Sequence, residues 1–212
     1  MDRSPPRPSR RYAGKAPEER AAERRARLLD AGLELFGTIG FAAASIEAIC
    51  AGARVSTRTF YELFATKERL ILAVDARIVE RTAERIGLAL AGTGAGAGVS
   101  DRVTVGLTAY AAGFVEDPRA ARVHFFEVLA VVADSDEHRR VTGEQLMELF
   151  LGQGEEMMAV GLIPRRDLTI TSGALLGATR YAMTDWAISN GAYPMNDVID
   201  ELVRLYMLAL GA

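Results

Sequence analysis

The 212-residue chain holds one cysteine, two histidines and few aromatics, and no apolar run in it reaches the roughly 18 to 20 residues of a membrane span. Each shortage excludes something. A lone cysteine closes no intrachain disulfide and suits a reducing compartment. His124 and His138 stand fourteen positions apart, with no metal-ligand spacing to each other or to Cys50, so no metal centre is expected. Arg180 and Asp185 interrupt the most apolar stretch, and no membrane partner is expected. The amino terminus is basic but has no hydrophobic segment after it, so it is not read as a secretory signal and a cytoplasmic protein is expected. The Gly-rich run at 92–98 lacks the lysine and the strand context of a phosphate-binding loop. Serines are few and have no evident histidine partner. With no catalytic constellation, the chain is expected not to be an enzyme and to need no cofactor.

Charge is unevenly spread. Residues 1–67 hold 12 Lys or Arg against 8 Asp or Glu, a net of +4, so the overall −3 leaves −7 for the rest. A basic head on an acidic body suits a chain that meets a polyanion at one end only. Residues 1–16 are rich in Pro, Arg and Ser without apolar periodicity and read as a disordered arm. That arm is either a solvated tail or an addition to phosphate or minor-groove contacts.

Apolar residues recur at helical spacing through the remainder, and no segment keeps a period of two. The pattern predicts an all-α fold. A first helix begins at Pro17, with Glu18 and Glu19 in its opening turn, and runs to about Gly37. Two short helices follow, then a longer one from Lys67 to about Leu90 that reads as a strut. Further helices are expected at about 101–115, 118–133, 136–160, 167–190 and 195–210, separated by Gly, Pro and Asp punctuation. The domain reading is a three-helix head at 17–66 and a body of about six helices at 67–212.

Residues 45–64, SIEAICAGARVSTRTFYELF, carry the clearest signal. Ser45 is placed to cap one short helix and Ser56 to cap the next, which begins at Thr57. Phe60 and Phe64 sit four apart and face inward, leaving Thr57, Arg58, Thr59, Tyr61 and Glu62 outward. A short helix with one apolar edge and a front of hydroxyls and arginine suits a DNA major groove. From Arg24 to Val74 the chain closely resembles the DNA-binding domain of the TetR family of transcriptional regulators. The marks are LLDAGLELF, Gly40-Phe41, the VSTRTFYELF core and Lys67-Glu68. Where the family usually has glycine at the turn, this chain has Arg54; Ala48 cannot close a capping box, and Cys50 stands in a place usually held by alanine.

The resemblance implies a transcriptional regulator, most often a repressor, that binds a palindromic operator in double-stranded DNA as a homodimer. Ser45, Tyr61 and Lys67 correspond to phosphate contacts, and Arg54 and Ser56 flank them. Thr57, Arg58 and Thr59 are candidates for base edges, with Arg58 the strongest because it pairs bidentately with guanine.

The last two predicted helices are apolar around much of their circumference. Gly173 and Gly177 permit close approach, and Val198, Leu202, Leu205 and Tyr206 share a face, so the pair is expected to form a two-fold dimer interface. The body also carries aromatic and Met residues beyond what a minimal bundle requires. By resemblance its helices enclose a small-molecule effector pocket, for which Tyr110, Phe114, His124, Met147, Phe150, Tyr181, Asp185 and Trp186 are the candidates. Two other readings remain open: a DNA-binding regulator without an inducer, and a helical small-molecule-binding protein with an incidental helix-turn-helix.

Overall fold

The computed structural model describes residues 16–94, 96–132, 136–189 and 191–212, so the basic arm lies almost wholly outside it. Among the described residues the chain is helical and forms no strand. Helix α1 spans Pro17–Thr38, α2 Ile46–Ala53, α3 Thr57–Leu63 and α4 Lys67–Ala91. The body continues with α5 (Val99–Glu116) and α6 (Pro118–Arg122), followed by a π-helical turn (Val123–Glu127) and α7 (Leu129–Val132). It ends with α8 (Asp136–Ala159), α9 (Thr169–Ile188) and α10 (Met195–Leu210).

Local chemistry explains the helix boundaries. Pro17 opens α1, and the Ala16 N–H donates to Glu19 at 3.0 Å. Ser45, Ser56 and Thr66 each accept a backbone N–H three residues on, capping α2, α3 and α4. The Thr66 cap was not foreseen. Gly40, at φ +89°, reverses the chain after α1, in a region where a Cβ is disfavoured.

The single helix expected at 118–133 is interrupted. Val128 N–H reaches the Val123 carbonyl, five residues back, at 3.0 Å, so the turn between α6 and α7 is widened. Nothing in the apolar spacing announces such a bulge.

Leu28, Phe36, Ile49, Phe60, Leu70, Ile71 and Val74 are fully shielded and close the head. Burial of each such side chain contributes roughly 1.5–3 kcal/mol. Helix α4 belongs to head and body alike. It packs on α1 near its start and on α5 and α8 further along. Helix α1 also meets α6 directly: a Cβ built on Gly37 would lie 2.4 Å from the Arg119 Cβ. Only glycine permits that approach.

The final helix differs from expectation. Val198, Leu202 and Tyr206 turn into the chain's own core, and Leu205 is the member of that set left exposed. Tyr206 is tied to α9 by a 2.8 Å hydrogen bond with Thr179.

Candidate nucleic-acid interface and body cavity

Helix α3 stands at the surface with Thr57, Arg58, Tyr61 and Glu62 exposed and Phe60 buried beneath. Its front is set by local bonds. Ser56 Oγ accepts the Thr59 N–H at 3.1 Å and lies 3.0 Å from Thr59 Oγ1, which makes Thr59 a half-buried partner of the cap. The Arg58 side chain is 88% exposed, and its Nε donates to Glu62 at 3.0 Å. That exposed pair is worth about 0.3–0.5 kcal/mol and leaves both terminal nitrogens of the guanidinium available. Tyr61 packs edge-to-face on Phe60 with its ring outward. Ser45 Oγ accepts the Ala48 N–H at 3.1 Å and keeps its own hydrogen to donate.

Two departures from the family pattern now have a geometry. Arg54 ends α2 in the left-handed conformation (φ 54°, ψ 48°), which costs a non-glycine residue about 1–2 kcal/mol. The turn therefore keeps the geometry that favours glycine. Cys50 is buried, and desolvation first, then the Glu47 charge, pushes its thiol pKa up, away from reactivity.

Lys67 has a structural engagement beyond its expected role. Its Nζ donates to the carbonyls of Phe41 and Ala44, at 2.8 and 2.9 Å, and sits 4.3 Å from the centre of the Phe41 ring. Two of its three hydrogens thus hold the turn before α2. Phe41 in turn donates its N–H to Glu127 on the π-helical turn at 2.8 Å. Arg122 completes the junction, donating to Glu127 at 3.0 Å and to the Thr38 carbonyl at 2.6 Å. Arg119 bridges Asp117 and Glu34, which raises its own pKa and lowers that of Asp117. The head is thus tied to the body through the segment containing the bulge.

The body encloses a cavity of about 440 Å³ between α4, α5, α8, α9 and α10, walled mainly by apolar side chains such as Leu107, Leu146 and Met157. Of the expected residues, Tyr110, His124 and Phe150 line it. Phe114 lies behind the wall, stacked on His124 at 5.5 Å. Met147 is half-buried near Gly173, between α8 and α9. Tyr181 points outward at 75% exposure. Exposed Asp185 accepts from the Tyr193 hydroxyl rather than from Arg180, and Trp186 packs over Gly191.

The main polar feature was missed. Asp75, 2% exposed on α4, approaches His124 Nδ1 at 2.6 Å, and both line the cavity. In the sequence Asp75 is one acidic residue among helical charges. Only its facing, between Leu72 and Ile78 on the buried side, could have marked it. Burial holds the Tyr110 phenol above its ordinary pKa, against the opposing charge of Arg180.

A helix-turn-helix head joined through a strut helix to an all-helical body is the build of a DNA-binding transcriptional regulator. Residues 28–74 match the tetR family of bacterial regulatory proteins. The HTH-type transcriptional regulator UidR of Escherichia coli (strain K12) is 41% identical over 61 residues, which are 29% of this chain and 31% of that protein. The match therefore spans less than a third of the curated relative. A TetR-family regulator from Syntrophomonas wolfei superposes with a TM-score of 0.74 at 19% identity, covering 89% of this chain and 95% of that one. FadR from Bacillus subtilis in complex with stearoyl-CoA gives 0.72 at 18%, covering 88% and 98%. These likenesses establish the fold across the chain. The amino-terminal domain, at residues 28–74, is thus of the DNA-binding type found in tetR-family regulators.

Proposed function

We propose that the protein is a repressor that binds a palindromic operator as a homodimer and leaves it when a small molecule fills the body cavity. The observation that carries this reading is the junction from cavity to head: His124 lines the cavity, and Glu127, on the same π-helical turn, holds the Phe41 N–H. A ligand that displaces this turn or α4 acts on the segment preceding α2. Arrangements with the heads in and out of DNA register then differ in ligand affinity, as a population shift requires. FadR from Bacillus subtilis, similar in fold, was solved with stearoyl-CoA, which is consistent with a ligand-responsive body.

At the DNA end, Arg58 is assigned to a guanine edge, with Thr57 and Thr59 beside it. Ser45, Ser56, Tyr61 and Arg54 face phosphates. Lys67 acts by holding the turn behind them.

The dimer is assigned to the outer face of α9 and α10. Ile170, Tyr181 and Ile188 are exposed on α9 around Gly177, and Leu205 and Leu208 on α10, the last at 82%. An apolar face of this kind suits a second copy. Two heads would then read half-sites roughly 34–36 Å apart.

Selection from genomic fragments with the purified protein tests the reading. Enrichment of a two-fold symmetric sequence bound by two protomers supports it, and failure to enrich any fragment removes it.

A further inference from the structure

We infer that the cavity takes a hydrophobic carboxylate, its anionic head held by Tyr110, His124 and Arg180 and its apolar body lying along α5. This inference rests on the effector-site reading above and adds the chemistry of the effector.

The head-group site combines two buried side chains, Tyr110 and His124, with the exposed Arg180. Tyr110 lines the cavity at 6% exposure, and its hydroxyl makes no hydrogen bond among the described residues. Since burial opposes its ionisation, the phenol keeps a hydrogen to give. His124, at 5% exposure, spends Nδ1 on Asp75 and has no partner for Nε2 among the described residues. For His124 to join the site, its ring must carry a hydrogen on Nε2. Arg180 brings its guanidinium to the same place, 3.4 Å from the His124 carbonyl, and its charge acts on Tyr110.

The neighbouring hydroxyls are already committed. Thr179 donates to the Leu175 carbonyl at 2.9 Å, so in the 2.8 Å contact between Thr179 and Tyr206 the phenol is the donor. Tyr110 and Arg180, with His124 beside Asp75, line one cavity and offer hydrogen-bond donors to it. A carboxylate satisfies them. An ammonium group would face donors and a like charge.

Away from this end the lining is apolar: Val103, Leu107, Leu146, Phe150 and Leu175. From Tyr110 back to Val103, α5 runs about 10 Å, which suits a medium-length chain or a ring system.

The test is calorimetric titration of the full-length protein with decanoate, decanol and decylammonium, each below its aggregation threshold. Decanoate is expected to bind roughly tenfold or more tightly than decanol, with decylammonium weakest. In Tyr110→Phe, His124→Phe and Arg180→Gln that preference should shrink to below about threefold while decanol still binds. Arg180 is exposed, so its variant reads the preference without disturbing the core. Decanol or decylammonium binding as tightly as decanoate would overturn the carboxylate assignment and leave the effector site standing. A preference unchanged in all three variants would overturn the assignment of residues. If none of the three compounds bound, the effector-site reading would fall as well.

Discussion

Glu127 accepts the backbone N–H of Phe41 at 2.8 Å, joining the widened turn beside the cavity to the reverse turn ahead of α2, 86 positions earlier in the chain. Its second carboxylate oxygen holds Arg122, so one side chain serves both the head and the body. Removing it should loosen that junction. Glu127→Ala is expected to cost about 2 kcal/mol of stability, because a hydrogen bond to a charged group is lost and the Phe41 N–H is orphaned. Urea unfolding measures the stability change. Operator titrations with and without effector should show weaker binding and a blunted response.

Lys67 and Arg54 separate by salt dependence. Lys67→Met should destabilise the head by about 2 kcal/mol, since two carbonyls lose a charged donor. The slope of operator affinity against salt should stay as in the wild type, because no phosphate contact disappears. A shallower slope with unchanged stability would restore Lys67 to the phosphate role.

Arg54→Gly should do the reverse. Relief of the left-handed strain, partly offset by the added freedom of the unfolded chain, predicts a gain of up to about 1 kcal/mol. If Arg54 touches phosphate, the salt slope falls by about one for each protomer. Thermal unfolding and titrations across a salt series measure the two effects separately.

Arg58→Ala should cost about 1–3 kcal/mol of operator affinity and leave binding to unrelated duplex nearly unchanged. Equal losses on both DNAs would move Arg58 from base reading to phosphate contact. Glu62→Gln releases the Arg58 side chain and should reduce discrimination by less than the loss of Arg58 itself.

Much of the head was legible because its determinants are local. Ser45 and Ser56 are caps whose partners lie three residues away, and Phe60 and Phe64 declare their facing by spacing alone. The structural role of Lys67 was not legible, because its carbonyl partners are more than twenty residues distant. The body was less legible. Tyr181, Asp185 and Trp186 were pocket candidates by resemblance, but α9 turns Tyr181 and Asp185 outward, and Trp186 packs half-buried against the core without lining the cavity. Val198, Leu202 and Tyr206 show the converse, since a helix apolar on two faces does not declare which face its own chain covers. The bulge at Val123–Glu127 leaves no mark in apolar spacing, and the facing of Asp75 toward His124 depends on that bulge and on how α4 is rotated.

Filling the cavity without a ligand tests the central claim most directly. A Cβ built on Gly106, which lines the cavity, meets nothing nearer than Leu90 Cδ2 at 4.0 Å, so Gly106→Phe places a ring inside with little strain on the backbone. Fluorescence anisotropy on the selected operator should show affinity reduced by roughly tenfold or more, with the thermal midpoint held or raised as the ring fills the void. Unchanged operator affinity in a stably folded Gly106→Phe protein would contradict the coupling of cavity to head.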